Sequence, residues 1–302
     1  MEHWRLRGGL EEPTVKLLEL TIEHMFGVPD GTYSFGDGHE ATRDVVVLAG
    51  DAPTALLEIL ASLLETVRCP GPAPHRLAWW ASWRGPGTAR LSARWALTEG
   101  EAARAGLAAR SAVTEWWFGP GDPLPREVLV EGNLPQRARA HLGRYAYIDP
   151  SEIDVWMGAD PLAELLAGIA RRDVAATQVA CQQGVGIVGY RTPDTFAVLT
   201  QTIAPVFPSL RLERVSCARG EVPAACFRDG ERVELDQLAD GERDAIHIAA
   251  GLHTAKVRGG VVLIDRLGLH VPPEMHRQWL DWLAGLATGN QLVVASAARA
   301  AG

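Results

Sequence analysis

No cysteine of this chain stands in a C-x-x-C pair and no histidine in an H-E-x-x-H run, so neither a zinc knuckle, a thioredoxin-like pair nor a zincin site is written in its motifs. The four cysteines, Cys69, Cys181, Cys217 and Cys226, read as small buried apolar residues. No apolar run approaches the roughly 18 residues that a membrane helix needs. The opening Met1-Glu-His-Trp-Arg lacks the apolar core of a signal peptide, so the expected location is the cytoplasm. Positive charge is also scarce. The 29 Lys and Arg face 37 Asp and Glu, for a net charge of −8, which disfavours a dedicated nucleic-acid or membrane-surface binder. There is no internal repeat and no low-complexity tract.

What is present suits a folded α/β protein. The 302 residues are 47% hydrophobic and 22% charged, enough to bury a core without disulfides or structural metal. Val15 to Phe26 and Thr32 to Phe35 read as strands. Val45-Val-Val-Leu-Ala49 is apolar throughout, as a strand covered on both faces would be, and ends at Gly50. A helix follows, with Leu56, Leu60, Leu63 and Val67 on one stripe and Pro53 or Thr54 at its start. Residues 77–83 and 88–96 flank a Gly-Pro-Gly turn and read as a hairpin. Further strands are expected at 112–118 and 127–130. Six of the ten tryptophans lie between Trp79 and Trp117; they suit the core and edges of an antiparallel sheet better than a stacking surface.

From Asp160 to Phe207 the spacing is helical. Gly184-Val-Gly186-Ile-Val-Gly189 matches G-x-G-x-x-G in form only, because no strand precedes it and Pro193 follows. The last hundred residues alternate strand and helix. A hairpin turns at Asp229-Gly230. A helix opens around Ala239-Asp240-Gly241-Glu242 and runs to about Thr254. Val261 to Asp265 is a buried strand ending in a carboxylate, a helix spans about 274–286, and 291–295 is a last strand. This order implies a parallel sheet.

These segments resemble the head domain of ABC-type ATPases in the soluble RecF-, SMC- and OLD-like branch of the P-loop NTPases. FRDGERVELDQLADGERDAIHIAAGL (227–252) is similar to the hairpin, signature motif and signature helix. GGVVLIDRLGLHVPP (259–273) is similar to the Walker B strand with its Leu-His-x-Pro continuation, and NQLVVASAARA (290–300) to the strand before the switch histidine. The resemblance implies one α/β head over 1–302. Residues 1–68 and 208–302 would form a parallel core, 77–131 an antiparallel β-subdomain and 151–207 a helical insert. It also implies a nucleotide sandwiched between two heads, so the working unit would be a dimer.

Matched slot by slot, most nucleotide-handling positions are altered. Gly50-Asp-Ala-Pro-Thr54 stands where a phosphate loop would run, about three residues short of G-x-x-x-x-G-K-[ST] and without its lysine. Pro53 has no N–H to offer. Asp265 keeps the Walker B carboxylate, but the general-base slot is Arg266 and the switch-histidine slot is Ala297. Leu238, Asp240, Gly241 and Glu242 fit the signature, with Ala239 in place of its serine. Losing a phosphate lysine and two amides removes bonds worth roughly 1.5–3 kcal/mol each, on the order of a thousandfold in affinity. Losing the base slows hydrolysis by a further factor of about 10² to 10⁴.

The expectation is therefore a catalytically inactive homologue that needs no cofactor and works on a protein partner, either an active ATPase head or a second copy of itself. A divergent Mg-ATP enzyme is the alternative. In it Gly50, Thr54 and Asp265 would bind the nucleotide, Asp265 its Mg²⁺, and Arg43 or Arg266 would replace the lysine. A second alternative is a small-molecule or nucleic-acid module built on the Trp-rich region. Arg266 itself has two readings, as a solvated strand-end residue or as a guanidinium that pairs with Asp265 and fills a vacated site.

Overall fold

The computed structural model describes residues 15–25, 27–37, 42–50, 52–68, 88–118, 126–131, 145–148, 160–182, 194–214, 224–267, 271–287 and 289–296. The chain is α/β, with parallel and antiparallel sheets. Strands β1 (Lys16–Glu23), β2 (Gly31–Ser34) and β3 (Val45–Leu48) precede α1 (Pro53–Arg68). Then come β4 (Ala89–Ala96), the short α2 (Glu99–Ala105), β5 (Ser111–Phe118), β6 (Arg126–Glu131) and β7 (Tyr145–Ile148). The helices α3 (Pro161–Gln182) and α4 (Thr195–Ile203) are followed by β8 (Leu210–Arg214), β9 (Ala224–Arg228) and β10 (Glu231–Val233). The last described elements are α5 (Asp240–Ala255), β11 (Val261–Leu267), α6 (His276–Ala287) and β12 (Gln291–Ser296).

The central layer is a parallel sheet in the order β3-β12-β11-β7. Its middle strands are covered on both faces, so β11 is buried from Val261 to Asp265 and β12 from Gln291 to Ala295. That burial explains their unbroken apolar runs. Alternation sends Val261, Leu263 and Val293 to one face, against α1 and the antiparallel sheet. Val262, Ile264 and Val294 go to the other, against α3 to α6. The α1 stripe of Leu56, Leu60, Leu63 and Val67 is buried as its spacing predicts.

The antiparallel sheet runs β2-β1-β4-β5-β6. It joins two strands from the first 68 residues to three from 89–131. Both neighbours of β4 are thus β1 and β5, while residues 77–83, read above as its hairpin partner, lie outside the described residues, as do Trp79 and Trp80. Trp95 and Trp116 are core residues, and the Trp95 indole N–H donates to Thr114 Oγ1 at 2.8 Å. Trp117 is partly exposed, with the Arg90 guanidinium 5.1 Å above its ring. A third sheet, β10-β9-β8, is antiparallel. Its hairpin turns through Asp229 and Gly230, at φ of +53° and +86°, the pair of left-handed residues that a two-residue hairpin loop requires. Segment 184–189 lies outside the described residues.

One side chain joins the parallel and antiparallel sheets. Gln291, at the start of β12, is fully buried. Its Oε1 accepts from the Leu17 backbone N–H and its Nε2 donates to the Leu17 carbonyl, both at 2.8 Å. Leu17 needs this because the ladder shifts register between Leu17 and Glu19 and β2 pairs only from Glu19 onward. Gln291→Leu keeps much of the volume but leaves both Leu17 groups buried and unpaired. The expected loss is about 2–4 kcal/mol, or roughly 5–10 °C in Tm, measurable by thermal denaturation; an unchanged Tm would remove Gln291 from this role.

Candidate functional site

The C-terminal ends of β11, β7 and β3 meet the start of α1, and there Thr54, Tyr147, Asp265 and Arg266 come together. In open α/β sheets, ligand crevices lie at this end of the strands. Asp265 follows four buried apolar residues of β11 and is itself 1% exposed. Such a carboxylate must be hydrogen-bonded to be stable there. Its Oδ1 accepts from the Thr54 hydroxyl at 2.9 Å and from the Arg266 backbone N–H at 2.8 Å. Its Oδ2 accepts from the Tyr147 hydroxyl at 2.9 Å. The Arg266 Nε lies 4.0 Å from the same Oδ2.

Local structure explains each donor. Four residues, 49–52, separate β3 from α1. Gly50 takes φ +124°, a region open to glycine and strained for other residues. Pro53 opens α1, where its missing N–H is harmless, and Thr54 follows within the first turn. Arg266 sits at φ +51°, left-handed and without glycine's excuse, at a cost of about 1–2 kcal/mol. It forms a bulge: Ile264 pairs with Val294 but Leu267 with Ser296, which leaves one extra residue on β11. The bulge accompanies the Arg266 N–H turned onto Oδ1, while the side chain stays 48% exposed.

Tyr147 was not among the residues expected here. Its strand β7 pairs with β11 in parallel, Tyr147 beside Leu263. Tyr145, two residues earlier and so on the same strand face, donates to Glu65 Oε2 of α1 at 2.5 Å. Helix α1 is therefore tied to the sheet near both ends, by Thr54 and by Glu65. The alternating Tyr-Ala-Tyr-Ile was the available signal.

The residues that resemble a signature motif form a second constellation. Leu238 is buried, Ala239 and Asp240 are exposed, and Gly241 is half-buried. Glu242 is buried and folds back, accepting from the Ala239 backbone N–H at 2.8 Å. Arg228 of β9 pairs with Glu242, its Nε at 3.1 Å and its Nη2 closer still. Arg243 donates from Nη2 to both Asp160 oxygens at 2.9 Å and from Nη1 to the Leu235 carbonyl at 2.7 Å. The start of α5 is thus fastened to the β9–β10 hairpin and to the residue before α3. Ala297, Asp51 and His270 lie outside the described residues. Among the described residues no three His, Cys, Asp or Glu side chains are grouped to hold a metal.

This geometry defines an α/β head: a parallel core with a carboxylate at the end of a central strand, an antiparallel sheet to one side and helices to the other. Solved structures agree. An SMC head bound to the C-winged helix domain of ScpA is 11% identical over 93% of this chain and 90% of its own, with a TM-score of 0.59. A Pyrococcus furiosus Smc head with an extended coiled coil, bound to the C-terminal domain of ScpA, is 10% identical over 94% and 89%, at 0.53. The Thermotoga maritima SMC head domain is 11% identical over 93% and 89%, at 0.50. The chain therefore has the fold of SMC heads, that is, of ABC-type ATPase heads. No protein-family model matches the sequence, and no curated protein is similar to it in sequence. No helix among the described residues is long and apolar enough to cross a membrane.

The Asp160–Arg243 bond has a pH signature. Burial pushes the Asp160 carboxyl up, but the bonded Arg243 guanidinium and the backbone N–H groups of Leu162 and Ala163 together outweigh this and hold it below the ordinary carboxylate range. A depressed carboxyl adds stability above its unfolded pKa of about 3.9, and that stability is lost as pH falls through the lower folded value. Arg243→Met is expected to lower stability at pH 7 by about 1–3 kcal/mol, since the pair is partly solvated. It should also flatten the fall in stability below about pH 4. Denaturant titration across pH checks both, and an unaltered acid slope would contradict the assignment.

Proposed function

We propose that this protein is a catalytically inactive ABC-type head that acts through another protein. The observation that carries the reading is the connection from β3 to α1. Counting G-x-x-x-x-G-K-[ST] back from Thr54 puts the lysine at Pro53, the second glycine at Ala52 and the first glycine at Val47, inside β3. Four residues do not leave room for a loop that wraps backbone N–H groups around two phosphates. Lysine is not supplied from elsewhere nearby in sequence. Lys16 and Lys256 are the only lysines of the chain; the first pairs with Asp44 at 2.8 Å and the second caps the C-terminus of α5.

Mg-ATP is the group that this fold implies, and the residues present do not suit it. Thr54 and Asp265 are of the right type for a magnesium site, but both oxygens of Asp265 already accept protein donors. The general-base slot holds a cation, so no residue there can take a proton from an attacking water.

The start of α5 supports the second half of the proposal. Glu242, Arg228 and Arg243 hold its shape, while Ala239 and Asp240 face solvent. A helix N-terminus presented in this way can meet a partner head or a second copy of this chain. That two of the similar SMC heads are bound to ScpA domains also favours a protein partner. The Thr54–Asp265 contact is what a divergent Mg-ATP enzyme would use, which keeps that as the second reading.

Phosphate release from Mg-ATP separates the two. Purified chain is expected to match the buffer blank, and Asp265→Ala to match the parent. Mg²⁺-dependent turnover that Asp265→Ala abolishes would establish the second reading instead. For a self-pairing head, sedimentation should show a dimer that Asp240→Arg weakens at least tenfold; a monomer at all concentrations leaves a different protein as the partner.

A further inference from the structure

We propose that Arg266 and Tyr147 form a built-in lock on Asp265, in which the guanidinium and the phenol hydroxyl hold the side of the carboxylate that a divalent cation would need. The inference rests on the inactive-head reading and adds how the site is kept closed.

A carboxylate has about four acceptor positions. Oδ1 uses two, for the Thr54 hydroxyl and the Arg266 N–H. Oδ2 takes the Tyr147 hydroxyl and faces the Arg266 side chain at 4.0 Å. With Asp265 1% exposed, an incoming cation must either displace the phenol or take the remaining position on Oδ2, which faces the Arg266 side chain. Like charges at such separations repel, by an amount that solvent on the half-exposed guanidinium reduces.

The backbone argues that this half-exposed arginine does not rest beside Asp265 by accident. A left-handed turn at a bulge is the place for glycine or asparagine, yet Arg266 occupies it at φ +51°. Strain of this kind persists where the surrounding structure enforces it. Here the same residue supplies one donor from its main chain and one charge from its side chain, both toward Asp265. Tyr147 closes the other oxygen from β7, so the lock ties together β7, β11 and α1 without any metal.

The test is Mn²⁺ alone, titrated and followed by the loss of its free EPR signal. It compares the parent, Arg266→Asn, Tyr147→Phe, the double variant and Arg266→Lys. Asparagine tolerates the left-handed conformation and removes the charge; phenylalanine keeps the ring and removes the hydroxyl. The parent is expected to bind no Mn²⁺ at millimolar concentrations. The double variant should gain affinity by about tenfold or more, and Arg266→Lys, which keeps a cation, should not. Tyr147→Phe should also lower the metal-free Tm by a few degrees, with Mn²⁺ restoring more of the loss in the double variant than in Tyr147→Phe.

If the double variant does not melt cooperatively, the two single variants carry the test, each expected to gain a smaller part of the affinity. Parent protein that binds Mn²⁺ as tightly as the double variant overturns the lock. So do cooperatively folded variants that gain no affinity. In that last case, a parent that still fails to bind Mg-ATP leaves the inactive-head reading standing, so the two failures are distinct.

Discussion

The carboxylate of Asp265 is the point on which this structure turns. Four apolar residues of β11 carry it into a place where water does not reach, and an ionised group there must be fully hydrogen-bonded. Three elements meet that demand: α1 through Thr54, β7 through Tyr147, and the bulge of β11 through Arg266. Each contributes a constraint of its own. Thr54 fixes where α1 begins, Tyr147 fixes the edge strand, and Arg266 accepts a strained backbone. A carboxylate satisfied this thoroughly by protein groups is a structural node, and the chemistry open to it is correspondingly narrow.

The rest of the fold gathers around the sheet that bears this node. Its two faces bury separate apolar clusters, one shared with α1 and the antiparallel sheet and the other with the helices α3 to α6. Gln291 links the layers at the opposite end of the sheet from Asp265, giving Leu17 the two bonds that its register shift withholds. Polar contacts thus secure both ends of a sheet whose middle is held by apolar packing. On the other side, Arg228, Glu242, Arg243 and Asp160 fasten the start of α5 to neighbouring elements. The end of the sheet that bears Asp265 is closed by internal bonds, while Ala239 and Asp240 remain exposed.

Much of this was legible in the residues because burial leaves a plain trace. The unbroken runs of β11 and β12, the stripe on α1 and the Asp229-Gly230 turn appear where their patterns predict. Strand β3 forms where its run predicts a strand, but at the edge of the sheet with Val47 exposed, not covered on both faces as its apolar run implied. What escaped notice was short or non-local. Strand β7 has four residues and β8 has five, too few for a period to stand out. The pairing of β1 with β4 spans some seventy residues and has no local sign. At the site, Thr54 and Asp265 do meet, and Arg266 does lie beside Asp265. Tyr147 was missed because a tyrosine on an edge strand is ordinary until its neighbour is known. The bulge at Arg266 was invisible for the opposite reason: left-handed backbone is announced by glycine or asparagine, and arginine announces nothing.

The proposed inactivity of this ABC-type head rests above all on the four-residue connection between β3 and α1. Calorimetric titration of the pure chain with Mg-ATP, at protein concentrations that would reveal even millimolar binding, bears on it most directly. No heat of binding and no rise in Tm are expected. Saturable, Mg²⁺-dependent heat that disappears in Asp265→Ala would contradict it and would place a nucleotide against Thr54 and Asp265 after all.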